Sequence, residues 1–324
     1  MLKHYSILFF LCFTTLGIAQ ISIKDSKSET PISYATISFG DGQGLFADDE
    51  GLFIFTEKLY ADIDTLYVSA LGYKIKTVAT SSLGKIILLD EEVSELDEVI
   101  LIAEGRKFKE ETLKPYLDDD YYSCWLPTIE SEIAVFFNNP DPALTKLSSI
   151  HFPITLESKD WEKRNRKNAD KKPFSTLFKV KFYKNDNGTP GSVLTYENIV
   201  FRATEKGGDV YNLDVSGYNM TIPKDGFFVS LQVLGYTDKS GKLLPNKKYK
   251  ELKGPEGTVK IPTNFRPLLP FTDEISLHNT YIKRVFIGGN NWIQFKQGNI
   301  ESGLLKKGLN NYGIGFTYKV YKDE

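Results

Sequence analysis

The chain has 324 residues, of which 41% are hydrophobic and 13% aromatic, and a formal net charge of −2. That much apolar material supports packed cores and excludes a disordered chain. A charge so close to neutral excludes a global field that would draw the chain to nucleic acid or to an anionic bilayer.

Residues 1–19 read as a signal peptide. Lys3 and His4 form the n-region, residues 7–13 the apolar stretch, and Gly17 and Ala19 the small residues before a cut at Gln20. The apolar stretch is shorter than the roughly 20 residues that a membrane span needs, so no stable span is expected after signal removal. A lipoprotein reading would use Cys12, but Leu11 before it is bulky. Once the leader is cut, Cys124 is the cysteine left, so no internal disulfide is expected. Beside Trp125 and Leu126 it reads as a buried apolar thiol.

The next segment, 20–102, reads as a small β-sandwich. A first strand at 21–24 is followed by strands at 32–39, 52–56, 64–70, 73–79 and 85–89, separated by Gly- and Asp-rich turns. Gly51 and Gly72 suit turn positions with positive φ. Asp41, Asp48, Asp49 and Glu50 carry oxygens suited to calcium, but they miss the EF-hand spacing, and turn chemistry is their expected role. Residues 103–120 are charged and poor in aromatics; they read as a linker, with a helical turn over 106–113.

From 121 to 324 the aromatic strand pattern returns. Runs at 132–137, 145–156, 177–183, 193–196, 199–203, 210–215, 226–234, 280–286, 291–295 and 312–321 predict a larger, jelly-roll-like sandwich. Asn185-Asp186-Asn187-Gly188 is a hairpin signal. Residues 237–270, rich in Lys, Gly and Pro, read as a long excursion. The fold class is therefore all-β: a small sandwich followed by a larger one.

Several motifs of the first sandwich are similar to a known family. Pro31-Ile32-Ser33-Tyr34-Ala35-Thr36-Ile37, Asp48-Asp49-Glu50-Gly51-Leu52-Phe53, Ser69-Ala70-Leu71-Gly72-Tyr73-Lys74 and Leu96-Asp97-Glu98-Val99-Ile100 occur in order. The segment resembles the carboxypeptidase regulatory-like, transthyretin-like domain of secreted and outer-membrane proteins of Bacteroidetes-type bacteria. The resemblance implies an accessory or docking module without catalytic residues of its own. It covers about a quarter of the chain. The remainder resembles, more weakly, an uncharacterised sandwich that follows such modules, through Phe182-Tyr183-Lys184, residues 188–194, Val210-Tyr211-Asn212-Leu213-Asp214 and residues 226–231.

The residues offer little catalytic chemistry. A zinc peptidase needs clustered His and Glu ligands, yet only His151 and His278 follow the leader and no HExxH occurs. No G-x-S-x-G elbow is present. His151 heads an alternating strand and reads as a hydrogen-bonded strand residue. Glu130, Glu132 and Asp160 could supply a glycosidase-like carboxylate pair, though nothing in the sequence sets their separation. Asn187-Gly188-Thr189 and Asn219-Met220-Thr221 match glycosylation sequons but read as turns. The basic segment 159–167 reads as a surface loop, and its Trp161 is the candidate ligand contact, an exposed ring for a sugar or a partner. Trp125 and Trp292 read as core. No catalytic residue, metal or cofactor is expected. The expectation is a non-enzymatic, exported protein of the periplasm, cell surface or outer membrane, docking to an envelope protein or surface glycan. The alternatives are a carbohydrate-binding protein and a hydrolase with an unrecognised site in the second sandwich.

Overall fold

A computed structural model describes residues 20–56, 60–92, 106–117, 120–155, 174–245, 250–254, 257–261, 265–289 and 291–321. The leader, the exit segment 96–100, Asp160 and Trp161 lie outside the described residues.

The first seven strands are β1 (Gln20–Asp25), β2 (Thr36–Ser38), β3 (Gly44–Phe46), β4 (Leu52–Ile54), β5 (Thr65–Ser69), β6 (Lys76–Ala79) and β7 (Ile86–Leu89). They form two sheets, β4-β1-β7 and β3-β2-β5-β6. Strand β1 runs antiparallel to β4 and parallel to β7. Alternation sends Ile21, Ile23, Ile87 and Leu89 inward from one sheet, where they meet Ile37, Leu66 and Val68 from the other. Gly51 and Gly72 have φ of 70° and 82°, as turns of this kind require. The run 32–39 is interrupted because Tyr34 adopts a φ of 55°. Residues 44–46, between two of the predicted strands, form a further strand beside β2.

The remaining strands are β8 (Phe108–Leu113), β9 (Cys124–Trp125), β10 (Ser131–Phe137), β11 (Thr145–Pro153), β12 (Ser175–Asp186), β13 (Thr189–Val193), β14 (Ile199–Thr204), β15 (Val210–Asp214), β16 (Phe227–Tyr236), β17 (Lys250–Gly254), β18 (Gly257–Ile261), β19 (Leu269–Thr272), β20 (Thr280–Arg284), β21 (Ile293–Gln294), β22 (Asn311–Tyr312) and β23 (Gly315–Tyr321). A seven-stranded sheet runs β13-β12-β16-β10-β20-β21, with β14 paired to β12. A four-stranded sheet, β15-β11-β23-β8, faces it. Their inner faces share one core, in which Phe137 and Phe227 of the first sheet meet Phe316 of the second at 5.0 and 5.5 Å between ring centroids. The chain is all-β, two sandwiches in series, as the strand pattern predicts.

One expectation is corrected. Within the segment expected to be a linker with a helical turn, residues 108–113 are neither linker nor helix. They form β8, paired residue for residue with the edge of β23 from Phe316↔Leu113 to Tyr321↔Phe108. The charged sequence that suggested a linker is what a half-solvated edge strand carries, because Lys and Glu discourage further strand addition.

The two sandwiches are packed together. Phe46 of β3 is buried in the larger core and lies 5.2 Å from the Phe286 ring. Ser38 Oγ donates to the Phe286 carbonyl at 2.5 Å. Arg284 Nη2 donates to the Gly42 carbonyl at 3.2 Å while pairing with Glu130 at 3.1 Å. Lys242 reaches Asp48 at 3.6 Å and Glu50 at 3.4 Å across the same seam.

Candidate functional site

The strands of the seven-stranded sheet alternate strictly around its centre. Phe178, Val180 and Phe182 of β12 face the core, as do Val229 and Leu231 of β16 and Ile133 and Val135 of β10. The intervening residues must therefore occupy the opposite face. Register sets them in rows. Lys179, Gln232, Glu132 and Lys283 lie side by side on β12, β16, β10 and β20. Lys181, Ser230, Ala134 and Tyr281 form the next row, then Tyr183, Phe228 and Phe136.

Glu132 is the hub of this face and is fully buried. Its Oε1 accepts from Tyr183 Oη and Ser230 Oγ, both at 2.7 Å. Its Oε2 faces Lys181 Nζ at 3.1 Å and Lys283 Nζ at 3.4 Å. Lys181 also donates to Gln232 Oε1 at 3.2 Å. Burial would push the Glu132 carboxyl up; Lys181, Lys283 and the two hydroxyls outweigh it and hold the group well below the usual carboxylate range. Burial, with the Glu132 charge beside it, pushes the Tyr183 phenol well up. Burial and, next, repulsion from Lys181 bring Lys179 down to about 7, against the pull of Glu132.

The approach of β21 to β20 brings Trp292 over this face. It packs on the patch of Ala134, Tyr183 and Phe228. Its ring meets Tyr183 edge-on at 5.6 Å and takes Lys283 Nζ at 4.4 Å from its centroid, a cation–π contact. Trp292 is thus on the outer face of the sheet rather than in the main core expected for it. Trp125 does pack against that core, at 6.0 Å from Phe271.

Glu132 stays ionised with both oxygens occupied, and Tyr183 stays protonated as a donor to it. Of the three carboxylates that could supply a glycosidase-like pair, Glu130 is tied to Arg284, Glu132 is enclosed by lysines, and Asp160 lies outside the described residues. Among the described residues no group of three His, Cys, Asp or Glu side chains could hold a metal. The loop carboxylates serve turns: Asp48 Oδ1 accepts from the amides of Glu50 and Leu52, and Asp41 Oδ1 from that of Gln43. His151 is held between Asn212 Oδ1 at 2.6 Å and Thr317 Oγ1 at 2.8 Å. Asn187 and Asn219 of the two sequons both sit at φ 51° in turns. In the sequence, the alternation Lys179-Val180-Lys181-Phe182-Tyr183 sets both lysines on one face of a strand, but only the strand order shows that face to be central.

No family model matches the chain, and no curated protein matches it. Among solved structures it is similar to the cysteine protease and lectin-like domains of a surface layer associated protein of Clostridium difficile, with 12% identity and a TM-score of 0.33. That match covers 86% of this chain and 46% of the other, so the chain spans less than half the length of its structural neighbour. Among the described residues no helix is long and apolar enough to cross a membrane.

Proposed function

We propose that the chain is an exported, non-enzymatic cell-envelope protein that acts as a binding or docking module. The first sandwich would be its carboxypeptidase regulatory-like accessory domain, and the second would carry the ligand face. One observation supports this above others: the most buried ionisable centre is a locked carboxylate under several ammonium groups. Such a centre keeps Glu132 ionised and paired, with both its oxygens occupied, so it is not a free general base.

The test is retention of the purified chain by isolated envelope material, with the soluble fraction assayed for released fragments. Sedimentation with the envelope and no released reducing ends or peptides is expected. Release of fragments that disappears in Glu132→Gln would overturn the non-enzymatic reading in favour of a hydrolase. The export reading is tested by the mass of the protein recovered from cells, which should correspond to a chain beginning at Gln20. A mass that retains residues 1–19 refutes it.

A carbohydrate ligand is the second reading. The partly exposed ring of Trp292 beside Lys283 favours it.

A further inference from the structure

The Glu132 face carries more hydrogen-bond donors than acceptors. Both Glu132 oxygens are occupied, and Gln232 Oε1 is taken by Lys181. On the donor side, the Lys179 side chain is buried in the same row as Gln232 and Glu132. Trp292 Nε1 is buried without a hydrogen-bond partner among the described residues. Lys181 and Lys283 share the single carboxylate. A buried donor left without an acceptor, as Trp292 Nε1 is, is rare in folded proteins and calls for an explanation. The face thus sets three lysines against one glutamate. An oxyanion is the complement to such a surface, since it accepts hydrogen bonds only and brings the missing negative charge.

The same face continues into the rings of Phe136, Tyr281 and Trp292, each partly exposed. Lys181 and Lys283 are partly open as well, with side chains 17% and 15% exposed. We propose that this face binds the carboxylate group of an acidic sugar, with the oxyanion between Lys179 and Lys181 beside Gln232 and the sugar ring against the aromatic shelf. The inference rests on the binding reading above and names the ligand class for it.

The experiment is calorimetric titration of the whole chain with glucuronate, with glucose and acetate as separate arms, below and above the Lys179 value of about 7. Glucuronate should bind, and glucose and acetate should each bind at least about tenfold more weakly, since one lacks the charge and the other the ring. Lys179→Met should weaken glucuronate binding about tenfold, the loss expected of one charge-assisted hydrogen bond. In the unsubstituted protein the affinity should fall as pH rises through about 7, because Lys179 loses its charge there. Glucose binding as tightly as glucuronate overturns the oxyanion site, and acetate doing so overturns the sugar assignment. An unchanged affinity in Lys179→Met overturns the location. Should that variant fail to fold, a flat pH profile of the unsubstituted protein overturns it equally. Retention on envelope material without glucuronate binding overturns this inference alone; loss of both removes the docking reading with it.

Discussion

Replacing Glu132 by Gln isolates the electrostatic part of the hub. The amide keeps the shape and can still accept from Tyr183 and Ser230 through its oxygen. The other position becomes an N–H donor pointed at two ammonium groups, 3.1 and 3.4 Å away in the parent. Removing one partner of a buried ion pair costs about 3–5 kcal/mol, because the charge left behind is uncompensated. The lysine side chains keep 17% and 15% of their exposure, so water relieves part of that cost and the low end, about 3 kcal/mol, is expected. Urea unfolding at neutral pH, followed by tryptophan fluorescence, measures it. The parent should also show the linked pH dependence. The folded Glu132 carboxyl lies below its ordinary value of 4.5, so its contribution is complete above that value and is lost as pH falls from there towards the lower folded value. The Gln variant should lack this acid-side loss. A destabilisation under about 1 kcal/mol, the worth of an exposed pair, would refute the hub as a buried and uncompensated site.

Phe46→Ala should cost about 3–5 kcal/mol, since it empties a buried aromatic site shared by both sandwiches; calorimetry should show the second sandwich melting earlier, and a shift confined to the first would contradict the shared core. Gly44→Val should disrupt the same seam, because an added Cβ would collide with the Ile37 carbonyl and the Phe286 ring; an unchanged melting temperature would show that the seam yields. Lys242→Ala should alter stability only slightly, and the difference should vanish in high salt, as the pair with Asp48 and Glu50 is half exposed; a large, salt-insensitive loss would argue against this.

The alternation of β-branched and aromatic residues was enough to read two sandwiches, the turns at Gly51, Gly72 and Asn187-Gly188, and the strand role of His151. Those features are local: side-chain direction in a strand has period two, and turn residues are chosen for φ. Residues 108–113 misled because an edge strand can be as charged as a linker, and only its pairing with β23 separates them. The Glu132 face was out of reach for a related reason. Lys179 and Lys181 on β12, Gln232 on β16, Glu132 on β10 and Lys283 on β20 are far apart in the chain, and each alone reads as an ordinary solvated residue. Strand order and register bring them onto one face, in two adjacent rows, and burial then turns a surface carboxylate into a locked anion beneath the lysines. Composition and periodicity thus determined the class of fold, while the Glu132 face was decided by long-range pairing, which no local pattern encodes.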